Sequence, residues 1–290
     1  MLEQTHPKIE KRSIVIRARD GYALHGMHFV PHTLKGAMLL NGGTAVPQHF
    51  YWALAQHLAQ QGWGVITYDY RGVGRSAPAH AKDLRHVTKY DWARLDMSAA
   101  LGRLRAEHPD VAHVVFGHSV GAQFYGLIQG MEHVRAVMSY GTAMGYWGTM
   151  RPPYRYKVAL LWHVLIPGLT HALGQFPSRQ LGLGEPIPAG AALQWARWGR
   201  RKDYFAQDVR ALPGFQQFDK PWLALRASDD DVATPVNARD FYACYPRAPI
   251  TERVLSPAEF GVEGLGHVGF FSRKHSAAWS VIDPWFCEHL

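Results

Sequence analysis

The stretch that most constrains the chain is Gly117-His118-Ser119-Val120-Gly121. An apolar run of strand length (residues 111–116) leads into it, and residues 122–131 leave it with a helical pattern. A strand that runs directly into a helix must turn within a few residues. The backbones two before and two after the serine then come very close, which glycine tolerates best. Such a turn holds the serine hydroxyl out in the open. A hydroxyl is a poor nucleophile unless a base stands beside it. The pentapeptide therefore calls for a sheet edge to sit on, and for a histidine and a carboxylate supplied further along the chain.

The rest of the sequence has the rhythm of such a sheet. Residues 13–30 alternate as two strands about an Asp20-Gly21 turn. Residues 37–41 form a short buried strand, followed by a glycine-rich turn and a helix over 48–61 that Gly62 stops. Strands are predicted at 63–69, 135–140, 222–227 and 250–255, with helices at 91–107 and 276–289. Strands alternating with helices predict a mostly parallel α/β sheet. With 290 residues, one large core needs no covalent staples. Residues 142–215 break the rhythm with prolines, glycines and clustered aromatics (Trp147, Tyr154, Trp162, Trp195, Trp198, Tyr204). They are expected to form a helical cap over the carboxyl ends of the strands, inserted into a core of residues 1–141 and 216–290.

The base is expected on a loop after the last strand. Gly264-Leu265-Gly266-His267-Val268-Gly269-Phe270-Phe271 supplies His267, with glycines that free the backbone and aromatics that can pin the loop. The acid should follow the preceding strand, where Asp229, Asp230 and Asp231 stand in a row. One of them would hold the tautomer of His267 and stabilise the imidazolium. The others are candidate caps for the helix after Pro235. An oxyanion site needs two N–H donors: Val120, next to the serine, and Gly43 or Thr44 in the turn after residue 41.

Other chemistries fit less well. The net charge of +8 comes from scattered Lys and Arg, so a solvated basic surface is read and no nucleic-acid partner. Gly72-Val73-Gly74-Arg75-Ser76-Ala77 follows a strand but is followed by Pro78 where a dinucleotide motif would open a helix, so no cofactor is expected. Asp69 and Arg71 there are read as braces for the loop. No metal-ligand spacing is present. Cys244 and Cys287 read as free thiols of a reducing compartment. The polar N-terminus has no signal-peptide core, and no apolar run is long enough for a membrane span, so the cytoplasm is the expected location.

Several segments together carry a more specific resemblance: NGGTAVPQHFY, YDYRGVGRSAP, Asp91-Trp92, GHSVGAQ, EPIP, QWARW, SDDDVATP and GHVGFF. They are spread over nearly the whole chain, and it resembles the α/β-hydrolase superfamily through them. Within it the chain is similar to predicted bacterial hydrolases near the serine aminopeptidase and lysophospholipase-like branch. The resemblance implies a central eight-stranded sheet and a Ser-His-Asp triad. Two positions depart from the usual pattern: Asn41 stands where histidine is common, and Ala122 where a second glycine is common. Counting along the strand from Pro221 assigns the acid to Asp230, whereas counting back from Pro235 gives Asp231 as the alternative. The expected activity is cleavage of a carboxylic ester, with an amide as second choice, through an acyl-enzyme on Ser119. The substrate is expected to be a small molecule with an apolar acyl group. Arg151, Arg155 and Arg200 would instead mark an anionic one. An acyltransferase or a non-catalytic binding protein on the same fold is the alternative function, and no oligomeric state is assigned.

Overall fold

The computed structural model describes residues 9–290, with the backbone alone for residues 81 and 82. Most of the polar N-terminal segment discussed above lies outside the described residues. The strands are β1 (Glu10–Arg17), β2 (Ala23–Val30), β3 (Gly36–Asn41), β4 (Trp63–Tyr68), β5 (His113–His118), β6 (Val134–Tyr140), β7 (Gln175–Phe176), β8 (Ile187–Pro188), β9 (Trp222–Ala227) and β10 (Ile250–Leu255). Eight of them form one sheet in the order β1-β2-β4-β3-β5-β6-β9-β10, and β7 pairs with β8 separately. The β1/β2 and β2/β4 pairs are antiparallel, and all other pairs of the large sheet are parallel. Every residue of β3, β4 and β5 is buried. Parallel strands covered on both faces require this, and it explains their unbroken apolar runs. The eight-stranded, mostly parallel α/β sheet expected from the sequence is present.

The helices depart from expectation where tertiary contacts override local pattern. The segment expected at 91–107 begins at Lys89, where Thr88 and Asp91 form a reciprocal capping box. It then widens to π-helix over Trp92–Met97 before continuing as α-helix over Ser98–Glu107. The helix expected at 122–131 is only Val120–Gln123, followed by a single 3-10 turn at Tyr125–Leu127. Phe124 leaves helical geometry (φ −122°, ψ 33°). Gly126 then abuts the Gly214 backbone so closely that a Cβ would lie 2.6 Å from the Gly214 carbonyl oxygen. The C-terminal segment is a 3-10 stretch over Arg273–Val281 and an α-helix only over Ile282–Cys287.

Residues 142–215 run between β6 and β9. They hold helical segments at Tyr154–Leu160, Leu161–Leu165, Ile166–Leu173 and Ala189–Gly199, together with the β7/β8 hairpin. Their aromatics pack on the body of the molecule as well as on one another. Trp198 is fully buried and meets Phe124 and Tyr90 at centroid distances of 5.7 and 5.2 Å. One continuous apolar cluster includes Val115 of the sheet, Trp92 of the long helix, and Trp162 and Trp198 of the insertion. No helix of the described residues is long and apolar enough to cross a membrane.

Candidate active site

β5 ends directly at Ser119, whose backbone (φ 51°, ψ −115°) lies in a region that side-chain-bearing residues rarely occupy. The flanking glycines are a steric necessity. A Cβ on Gly117 would lie 2.6 Å from the carbonyl of Gly121, and one on Gly121 would lie 2.3 Å from the Asn41 carbonyl oxygen. The turn is also bolted in place. The Ser119 N–H donates to the Tyr140 carbonyl (3.0 Å), and the Thr142 hydroxyl donates to the Ser119 carbonyl (3.0 Å). Asn41, where histidine was the expected residue, is fully buried and ties the turn to β4. Its amide donates to the Gly121 carbonyl (3.2 Å), while its oxygen accepts from the Tyr68 hydroxyl (2.7 Å).

His267 and Asp230 meet on the same sheet edge, with Nδ1 to Oδ2 at 2.8 Å. The carboxylate is fully buried, and its other oxygen accepts from the N–H groups of Val232 (2.8 Å) and Ala233 (2.9 Å). Burial alone would raise the Asp230 pKa. The charge and hydrogen bond of His267, with the two N–H donors, outweigh it and hold the carboxyl below its ordinary value. The imidazole shows the converse: burial opposes the charged form, but Asp230 outweighs it and the His267 pKa is raised. Gly141, just past β6, makes room for the pair, since a Cβ there would lie 3.1 Å from Nδ1 of His267 and 3.3 Å from Oδ2 of Asp230.

The other two aspartates do neither of the things expected of the row. Asp229 accepts from the N–H groups of Leu265 (2.9 Å) and Gly266 (3.1 Å), so it braces the loop that carries His267. Asp231 is exposed. The helix Pro235–Tyr242 is capped by neither: the Thr234 hydroxyl accepts from the Asn237 N–H. The loop is further held by the Tyr140 hydroxyl on the Gly266 carbonyl (2.6 Å) and by buried Phe270 and Phe271.

The two candidates for the second oxyanion donor separate clearly. The Gly43 N–H is spent on the Tyr51 hydroxyl (2.7 Å), whose proton in turn reaches Nδ1 of His118 (2.7 Å). Nε2 of His118 faces the His267 carbonyl at 2.9 Å. A carbonyl only accepts, so His118 carries its proton on Nε2 and accepts at Nδ1. Burial, reinforced by His267, keeps this ring neutral, with its pKa lowered to about 3. One polarised chain therefore runs from the glycine turn through Tyr51 and His118 to the His267 loop. The N–H groups of Val120 and Thr44 have no hydrogen-bond partner among the described residues. Asp69 and Arg71 brace the neighbouring loop as expected: Asp69 accepts from the N–H groups of Gln48 (2.7 Å) and Arg75 (3.0 Å), and Arg71 pairs with buried Asp96 (2.6 Å).

Ser119, His267, Gly43 and Thr44 border one cavity of about 170 Å³. Its other walls are mostly apolar and come largely from the insertion, among them Met150, Leu161, Trp162, Phe176, Ile187 and Trp195. Arg151, Arg155 and Arg200 do not border it. Lys89 does, and the sequence reading passed over it. The available signal was its spacing: three residues before Trp92 on one helical stretch, it shares the buried face of that tryptophan. Among the described residues, no group of three His, Cys, Asp or Glu side chains is placed to hold a metal ion.

Comparison with known proteins bears on the family and the fold. The family model described as serine aminopeptidase S33 matches residues 32–181. No curated protein matches the chain by sequence. Among solved structures, it is similar to a soluble variant of the monoglyceride lipase of Saccharomyces cerevisiae in complex with a substrate analogue. That likeness has 16% identity and a TM-score of 0.68, covering 100% of this chain and 97% of the other. An esterase of Pyrococcus furiosus aligns at 16% identity and a TM-score of 0.64, over 97% of this chain and 92% of the other. DcsB in complex with its substrate analogue aligns at 12% identity and a TM-score of 0.66, over 97% and 100%.

Proposed function

The chain belongs to the serine aminopeptidase S33 family of α/β-hydrolases, and from that premise we propose that it cleaves carboxylic esters through an acyl-enzyme on Ser119. The single observation that carries this is the buried Asp230–His267 hydrogen bond, set on the cavity that also exposes the strained Ser119 turn. The His267 ring keeps 22% of its surface, and its free Nε2 is the atom available to a serine proton.

In the proposed reaction the Ser119 oxygen attacks the ester carbonyl as His267 Nε2 takes its proton. The carbonyl oxygen, now an anion, accepts from the unpartnered N–H groups of Val120 and Thr44. Collapse of the tetrahedral intermediate expels the alcohol, which leaves with the proton held by His267. Water then attacks the acyl-enzyme, giving its proton to His267, and Ser119 is released with the carboxylic acid. Asp230 orients the ring throughout and stabilises its charged form. The acyl group lies against the apolar walls that residues 142–215 supply as a cap. Amides are the slower substrates of the same site.

The test combines labelling by a fluorophosphonate probe with turnover of p-nitrophenyl esters in the presence and absence of an added alcohol. Labelling that needs Ser119, with acid as the product, is the expected result. An alcohol-derived ester in place of acid would make the protein an acyltransferase. Absence of both labelling and turnover would leave a binding protein with an unused triad.

A further inference from the structure

Among the described residues, Lys89 is the one lysine or arginine on the wall of the cavity, and its burial is complete (0% exposed). Its ammonium lies 4.2 Å from the centroid of the Trp195 ring and 5.5 Å from that of Trp92. The only hydrogen bond of the ammonium among the described residues goes to the Thr44 hydroxyl, and none of the ion pairs formed by those residues includes it. An ammonium has three protons to donate, so two are left over. Taking such a group out of water without a carboxylate is costly, and burial pushes the lysine pKa well below its ordinary value. The faces of the two tryptophan rings offset part of that cost, but they leave the remaining ammonium protons without a hydrogen-bond acceptor. Two further polar atoms on the same walls are unpartnered among the described residues: the buried Ser178 hydroxyl and the side-chain oxygen of Gln123. In a mostly apolar cavity, the idle donors of Lys89 and Ser178 point to an acceptor that arrives with the substrate, while the Gln123 oxygen is left for a donor.

We propose that Lys89 makes this site selective for esters whose acyl chain ends in a carboxylate, which the Lys89 ammonium pairs with inside the cavity. This deepens the esterase reading and rests on it. The apolar and aromatic walls cover the methylenes, and the far end of the acyl chain supplies the missing counter-ion. The size agrees, because about 170 Å³ holds only a short acyl chain. Lys89 also explains how an anionic substrate would be recognised although Arg151, Arg155 and Arg200 stand away from the cavity.

The decisive experiment compares kcat/KM for mono-p-nitrophenyl glutarate and p-nitrophenyl pentanoate, each corrected for its rate with hydroxide, in the wild type and in Lys89→Met. The wild type should favour the glutarate ester by about tenfold or more, the scale of a hydrogen bond to a charged group, and Lys89→Met should collapse that ratio to about one. Because the readout is a ratio within each protein, a general loss of activity does not disturb it. Thermal unfolding supplies a second measurement: glutarate, but not pentanoate, should raise the Tm of the wild type, and Lys89→Met should lose the response. Turnover of pentanoate with no preference for glutarate, or a preference that survives Lys89→Met, overturns the proposal and leaves the esterase reading standing. If neither ester is cleaved the esterase reading fails, and the glutarate shift then decides alone whether Lys89 receives a carboxylate.

Discussion

The carboxyl edge of the sheet and the 142–215 insertion face each other across one cavity, yet they are held by different forces. At the edge, the proposed reacting groups are fixed by directional bonds and by backbone approaches that admit nothing larger than glycine. Asp230 has three hydrogen bonds, Asp229 holds the loop of His267, and Gly121 touches Asn41. In the insertion, position is set by ring packing such as Trp162 on Trp195 (4.6 Å), and an outer face leaves Tyr156, Leu160 and Val164 exposed. Directional bonds tolerate few substitutions, whereas packed apolar walls can be reshaped at modest cost while the fold is kept. Chemistry should therefore be brittle to mutation and substrate choice should be pliable.

The largest effects should fall on the edge. Ser119→Ala and His267→Ala are each expected to lower kcat by about 10⁴-fold or more, and the double variant should be little worse than either, because the two act as a unit. Losses that multiply would break the assignment. Asp230→Asn comes next, at about 10² to 10⁴-fold in kcat, while Asp231→Asn should cost under about tenfold. The pH profile sharpens this ranking. The proposed reaction needs neutral His267, whose pKa Asp230 raises above the ordinary 6.5. Activity should therefore fall as the pH drops through a value above 6.5. Asp230→Asn removes the raising influence and leaves burial, so its acid limb should move to lower pH. A limb that stays in place would show that Asp230 does not charge-pair with the base.

The same contrast decides what could be read in the sequence. Ser119 and His267 were legible because sharp turns demand glycines, and glycines at fixed offsets survive as a written pattern. Asp230 was legible only as one of three, since the choice depends on which carboxylate the end of β9 aims at His267. Residues 142–215 were legible only as a break in the rhythm, because ring packing leaves no period in the sequence. The short helix after Ser119 was misread for a related reason: the contact of Gly126 with Gly214 is invisible along the chain. Lys89 escaped because a lysine beside a helix start reads as a solvated charge, and only the packing of Trp92 and Trp195 around it removes the solvent.

Between the two extremes stands the chain from Gly43 through Tyr51 to His118. It is made of directional bonds like the edge, but its side chains supply none of the proposed reacting groups. Tyr51→Phe would leave two buried groups unpaired, the Gly43 N–H and Nδ1 of His118. Each should cost roughly 1–3 kcal/mol of stability, measurable by urea unfolding. Because the chain joins the glycine turn to the His267 loop, kcat should fall by about tenfold with KM little changed. Loss of stability without loss of kcat would reduce the chain to a structural brace.

The smallest effects, and the most graded, belong to the insertion. A cavity of about 170 Å³ is close to the ~150 Å³ that accepts one benzene, so an unsubstituted acyl chain should fill it at around six carbons. Along p-nitrophenyl esters from acetyl upward, each methylene should raise kcat/KM by up to about 0.8 kcal/mol, or roughly fourfold, until that length is reached and the series turns down. Met150 is buried on the cavity wall, and Met150→Ala would open space there. Its effect should be to move the turning point to longer chains, with the larger gains at octanoyl and beyond. The two regions then separate cleanly in one data set: edge variants shift the whole series downward together, whereas an insertion variant changes its slope and its maximum. A Met150→Ala series that falls in parallel with the wild type would mean that the insertion acts on the chemistry itself, and the division between brittle edge and pliable wall would not hold.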